Sequence, residues 1–168
     1  DKPLSLYVHI PFCNDICFYC GCNKQVTRDH SKSAEYLDVL DQEIGLVKER
    51  IAGETTVSQL HFGGGSPTFL NNEEIERVMG LITSRFPLQS AGEFSIEVDP
   101  RTCPPEKVQT LAKVGLNRMS CGVQDFNPEV QKAVNRIQPF EMTRDTMLAA
   151  REAGFHSICL LYTSPSPR

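Results

Sequence analysis

Four cysteines, Cys13, Cys17, Cys20 and Cys22, fall within ten residues and are spaced C-x3-C-x2-C-x-C. Thiolates suit zinc and iron–sulfur clusters alike, so ligand type alone does not choose between the two. Structural zinc sites usually join two short knuckles across a longer stretch, and that arrangement is absent from this sequence. A loop of this size can fold three thiolates onto three irons of a cubane and leave the fourth iron open to another ligand. The chain carries seven cysteines in all, an odd number. An odd count with four crowded together is not a secreted disulfide framework. In a reducing compartment it reads as metal-binding or catalytic, and a cytoplasmic location is expected. Cys103, Cys121 and Cys159 are isolated; the first two read as packing. Nothing marks His9, His30, His61 or His156 as a ligand, although His9, beside the loop, is a candidate for a functional role.

Composition narrows the partners. Of the 168 residues 40% are hydrophobic and 23% charged, an ordinary soluble balance. No stretch approaches the roughly 20 consecutive apolar residues that span a bilayer. The sequence starts without an apolar run after a basic patch, so no secretory signal is expected. A net charge of -4 argues against nucleic acid as the main partner, since phosphate binding calls for a basic face.

The elements that must position the cysteines alternate. Leu4 to Ile10 reads as a strand ending at Pro11, directly before the loop. From Ser33 to Arg50, Tyr36, Leu37, Leu40, Ile44 and Val47 follow helical spacing, with Ser33 near the cap. Val57 to Phe62 is a short strand running into Gly63-Gly64-Gly65. Asn71 and Glu74 make a capping signal, and Ile75, Val78, Met79, Ile82 and Phe86 form one helical face. Glu93 to Asp99 alternates as a strand does. Pro104 and Pro105 suit the first turn of a helix reaching about Val114, with Gly115 as its stop. Arg118 to Val123 is the next strand. Helices follow over Pro128 to Asn135 and Thr143 to Ala153, and a last strand starts near His156. This alternation implies βαβ units and a parallel sheet, part of a barrel or of an open α/β sheet, with chemistry at the C-terminal strand ends.

The last ten residues, Cys159 to Arg168, break the pattern with a double Ser-Pro. They resemble the translated adapter of a sequencing library. Residues 1–158 are therefore expected to be the natural core and 159–168 a non-native tail, the natural protein continuing past Ile158.

The residues then align with a known pattern. C-x3-C-x2-C with Tyr19 before the third cysteine is the signature of radical S-adenosylmethionine (SAM) proteins. Leu4 to Cys13 resembles the opening of the oxygen-independent coproporphyrinogen III oxidase family. So do Cys20-Gly21-Cys22-Asn23, His61 to Thr68, Ser95 to Pro100, Asn117 to Ser120, Gly122 to Phe126, and Val130-Gln131 with Val134-Asn135-Arg136. The haem chaperone branch of the same superfamily is the alternative. It carries phenylalanine in place of Cys22 and usually serine in place of Asp125, so the oxidase choice stands at both positions.

The resemblance implies a partial (βα) barrel of the radical SAM type, an α/β fold with a parallel sheet. It implies a [4Fe–4S] cluster on Cys13, Cys17 and Cys20, with Cys22 a non-ligand of functional importance. Gly64, Gly65 and Ser66 would lie against SAM, the glycines letting backbone approach the cofactor; by themselves they could equally form a tight turn. Glu97 would accept hydrogen bonds from cofactor donors. Tyr7 would flank the cofactor and Tyr19 touch it through its backbone. Gln124 and Arg136 match positions that hold a second SAM, where a guanidinium can pair with a carboxylate. The family's third contact there, an aspartate, falls in register on Leu161. The implied reaction is oxidative decarboxylation of two propionates of coproporphyrinogen III to vinyls. The implied partners are that porphyrinogen and an electron donor such as flavodoxin or ferredoxin, with the protein a monomer.

Overall fold

The computed structural model describes residues 2–53 and 55–162. Strand β1 (Leu4–Ile10) leads into a two-residue strand β2 (Phe12–Cys13), which pairs with β3 (Gln25–Val26) across the base of the cysteine loop. Helix α1 (Ser31–Arg50), strand β4 (Val57–Gly64), helix α2 (Asn72–Thr83) and strand β5 (Leu88–Val98) follow. Then come α3 (Pro105–Lys113), β6 (Arg118–Gln124), α4 (Pro128–Ala133), α5 (Phe140–Glu152) and β7 (Ser157–Tyr162).

The sheet has five strands in the order β1-β4-β5-β6-β7, every neighbouring pair parallel. Each crossover adds its strand beyond the last one, without reversal. Right-handed crossovers advancing one way place all the helices on one face, which is barrel winding and not the doubly wound alternative. Contacts run α1 to α2, α2 to α3 and α3 to α5, as a single helical layer requires. One face of the sheet packs beneath that layer: Leu60, Phe62, Ile96, Val98 and Met119 are buried against Ile75, Val78, Met79, Ile82 and Leu111. Burying each such side chain contributes about 1.5–3 kcal/mol. The other face carries Tyr7, His61, Ser95, Glu97, Ser120 and Gly122, small or polar residues suited to a barrel interior.

Local signals explain where the elements begin and end. Asn71 and Glu74 form the expected capping box, each side chain bonded to the other's backbone N–H. Pro105 opens α3, and Gly115 and Gly154 leave their helices at φ +96 and +92. Ser33 does not cap α1; it is buried in the first turn, with its hydroxyl 2.6 Å from the Glu74 carboxylate of α2. β5 starts at Leu88, earlier than its alternation suggests, and β7 runs through Cys159–Tyr162 in register with Ser120 to Gln124. The strand therefore passes into the expected tail; the double Ser-Pro segment lies outside the described residues. Among those residues, no helix is long and apolar enough to cross a membrane.

Candidate functional site

The cysteine loop leaves the C-terminal end of β1 and is held at both ends. At its base Gln25 N–H donates to Pro11 O (2.7 Å) and Thr27 N–H to Cys13 O (2.9 Å). Within it, Cys20 N–H donates to Cys17 O at 3.0 Å, and Lys24 Nζ to Cys20 O at 2.9 Å. Its far side is pinned by the segment after α4: Phe18 N–H donates to Val134 O (3.0 Å) and Asn135 Nδ2 to Ile16 O (2.7 Å). His9 fixes the exit, its Nε2 2.9 Å from Asn23 O.

A cavity of about 220 Å³ opens between this loop and the C-terminal ends of β4, β5 and β6. Ten of the eleven residues singled out from sequence line it: Cys13, Cys17, Cys20, Tyr19, Gly64, Gly65, Ser66, Glu97, Gln124 and Arg136. Cys22 and Leu161 line it too. Tyr7 does not. It lies a turn of pleat below the strand end, in register with His61, on whose ring it stacks at 5.8 Å. Its hydroxyl meets His9 Nδ1 at 3.0 Å. Tyr7 is therefore a neighbour of the site, 59% exposed on the sheet's polar face.

The glycines also serve the protein's own packing. A Cβ on Gly64 would stand 2.7 Å from Ile10 O, and one on Gly65 would stand 2.7 Å from Pro11 O and 2.9 Å from Phe12 O. The missing side chains accommodate the protein's own backbone where β1 enters the cysteine loop. Gly64 also adopts φ +125, a conformation left to glycine.

An ionic network joins Arg136, in the cavity wall, to Asp99 and Arg101, two lining residues not singled out as a site from sequence. Asp99, at the end of β5, receives Arg101 Nη2 at 2.7 Å and Arg136 Nη1 at 3.2 Å. Burial alone would push the Asp99 carboxyl up, but the Arg101 hydrogen bonds and the Arg136 charge override it and hold it below the usual carboxylate range. Arg136 is 7% exposed, and its guanidinium also donates to Gln138 Oε1 (3.1 Å) and Gly122 O (2.9 Å). It is a structural hub at the cavity wall, already bonded on three sides. A strand-ending aspartate before Pro-Arg was the one sequence signal for this network.

The thiols differ. Burial, then the neighbouring Cys20, Asp99 and Cys17, push the Cys13 thiol up to about 11. Cys20 goes the other way: burial opposes it, yet hydrogen bonds from Cys22 and the Lys24 ammonium lower it. Among the described residues no three Cys, His, Asp or Glu side chains gather tightly enough for one metal ion. The cysteines surround a shared cavity.

A singly wound parallel half-barrel with a thiol-lined cavity at its strand ends defines an α/β protein built around a metal–sulfur group. The chain belongs to the Radical SAM superfamily, whose pattern matches residues 7–164. It is 50% identical over 167 residues to the oxygen-independent coproporphyrinogen III oxidase of Escherichia coli K12, covering 98% of this chain and 36% of that protein. It is 48% identical over 160 residues to the protein of that name in Pseudomonas aeruginosa, covering 94% of this chain and 35% of the relative. The solved coproporphyrinogen III oxidase of E. coli, a radical SAM enzyme, superposes with a TM-score of 0.93 at 49% identity, over 96% of this chain and 37% of that one. The structure of anSMEcpe, solved with bound AdoMet, shares the fold at a TM-score of 0.62 and 18% identity, over 94% of this chain and 43% of that one. The chain thus spans little more than a third of the curated relatives it matches. The superfamily's cofactors are a [4Fe–4S] cluster and SAM, and the donor set fits them: free thiols at Cys13, Cys17 and Cys20 face one cavity that also holds a carboxylate and a guanidinium.

Proposed function

We propose that this chain is the cluster-bearing part of an oxygen-independent coproporphyrinogen III oxidase, with Cys13, Cys17 and Cys20 as the cluster ligands. The observation that carries this is the 50% identity to the E. coli enzyme over 98% of the chain. When bound, the cluster and SAM together supply reductive cleavage of a carbon–sulfur bond, and so a carbon-centred radical able to take a hydrogen atom. Each propionate of coproporphyrinogen III then loses one hydrogen atom, CO2 and one further electron to become a vinyl group, giving protoporphyrinogen IX. The electrons are exchanged with a separate protein donor such as flavodoxin or ferredoxin, and with an acceptor.

The chain's own groups prepare that chemistry. Ser66 and the Gly64-Gly65 backbone border the SAM amino-acid end, and Glu97 accepts hydrogen bonds from its ammonium or hydroxyl groups. Glu97 is kept on the cavity side of β5 by strand alternation, with His61 Nε2 3.5 Å from its carboxylate. Gln124 and Arg136 border a second SAM. Gln124, the last residue of β6, stands at φ 68, a strained backbone for a non-glycine residue, and lines the cavity. The protein works as a cytoplasmic monomer, and residues 159–168 depart from the natural sequence. The test uses the full-length protein: with reductant and SAM it converts coproporphyrinogen III to protoporphyrinogen IX. Tight haem binding without decarboxylation would overturn the assignment in favour of a haem chaperone.

A further inference from the structure

Cys17 is the most deeply buried of the three proposed ligands, 8% exposed, whereas Cys13 and Cys20 are half-buried. Burying a thiolate is costly unless donors meet it. Two guanidiniums do so: Arg101 Nη2 lies 3.5 Å from Cys17 Sγ and Arg136 Nη1 lies 3.8 Å from it. Arg101 is aimed by Asp99. It sits in the short turn Pro100–Thr102 after β5 and folds back, so that Nε lies 3.0 and 3.2 Å and Nη2 2.7 Å from the Asp99 carboxylate. The same Nη2 then reaches the sulfur. Two guanidiniums share one carboxylate here, which leaves one positive charge in excess beside Cys17. Arg101 also lines the cavity.

We propose that Arg101 is a positioning residue for the cluster: it donates an N–H···S hydrogen bond to Cys17, orienting that ligand and raising the cluster's reduction potential. This rests on Cys17 being a cluster ligand, as proposed above. Hydrogen bonds to the sulfurs and local net charge set the potential of iron–sulfur centres. A donor and a positive charge favour the more negative, reduced state, so losing both moves the potential down.

The test is redox titration of the anaerobically reconstituted protein, followed by the electron paramagnetic resonance of the reduced cluster. Arg101→Met should load iron and titrate at a more negative potential than wild type, and Arg101→Lys, which keeps the charge but loses the fork, should fall between them. A variant that keeps the wild-type melting temperature but loads no iron also supports the positioning role. If Arg101→Met unfolds, Arg101→Lys is judged by the same criteria. A loaded variant at the wild-type potential overturns the role of Arg101. Failure of wild type to load iron overturns instead the cluster assignment on which it rests.

Discussion

Gly65→Ala tests whether the glycine run serves the protein's own backbone. The added Cβ would lie 2.7 Å from Pro11 O, 2.9 Å from Pro11 C and 2.9 Å from Phe12 O, all backbone atoms that cannot rotate away. Relief requires the Pro11 carbonyl to move by about 0.6–0.9 Å and that of Phe12 by about 0.4–0.7 Å, given ordinary carbon–oxygen contacts of about 3.3–3.6 Å. Both belong to the segment that enters the cysteine loop, and Phe12 is 2% exposed, packed on Phe69. Overpacking of this kind costs about 1–3 kcal/mol. At about 2–4 °C per kcal/mol for a chain of this size, the melting temperature should fall by about 2–12 °C. Because Cys13 follows Phe12 directly, iron loading should fall with it. Gly45→Ala is the control. It lies within α1 with nothing within 4 Å of its would-be Cβ, and should gain up to about 1 kcal/mol from helix propensity. Thermal melts and iron analysis after reconstitution read both variants. If Gly65→Ala melts and loads as wild type does, the close approach to the Pro11 backbone is not what requires glycine.

Serine at Cys13, Cys17 or Cys20 should abolish cluster loading, whereas Cys22→Ser should keep four irons and four sulfides; iron analysis and visible absorbance decide, and stoichiometric zinc in place of iron would refute the assignment. Asp99→Asn leaves Arg101 and Arg136 without their shared anion and should destabilise the fold by about 3–5 kcal/mol at neutral pH. The sign follows from the lowered folded-state value: Asp99 stabilises above the unfolded carboxyl value of about 3.9 and loses this as pH falls towards its folded value, so the variant's loss should shrink in acid melts. Leu161 lines the cavity, and the resemblance puts an aspartate of the family in register with it; on the proposed reading Leu161→Asp should raise the number of SAM molecules bound, read by calorimetry, and unchanged stoichiometry would place the aspartate elsewhere.

What could be read from the sequence was local. The capping box of Asn71 and Glu74, Pro105 at the start of α3, and Gly115 and Gly154 as stops each act within a few residues, and each stands where its chemistry requires. The cysteine loop and the strand ends around it were legible because strand–loop–helix alternation places them together. The paired strands β2 and β3 were not, since two residues carry no period. Nor was the Asp99 network. Arg101 and Arg136 meet Cys17 from 84 and 119 residues away, and side chains that far apart leave no mark in spacing. Alternation places Tyr7 on the polar face of β1 but does not show its depth along the strand, so its position below the strand end was not legible. The backbone lying against Gly64 and Gly65 was not legible either, because it comes from a distant part of the chain.

These long-range ties have a consequence for how the site assembles. The cysteine loop has little apolar packing of its own: Ile16, Phe18 and Tyr19 are exposed by 47%, 69% and 46%. Its shape comes from polar bonds to the segment after α4, where Asn135 at φ 55 turns the chain back over the loop. That turn is anchored in the core by Arg136 and Gln138, both bonded to Gly122 O on β6. Gln138 is fully buried and also meets Gln131 and Thr143. Buried polar groups of this kind are stable only when all their partners are in place, since each orphaned group costs about 1–3 kcal/mol. The arrangement of the thiols at the cavity therefore depends on β6, α4 and α5 all being in place. The loop is local in sequence, but its geometry is a property of the whole half-barrel.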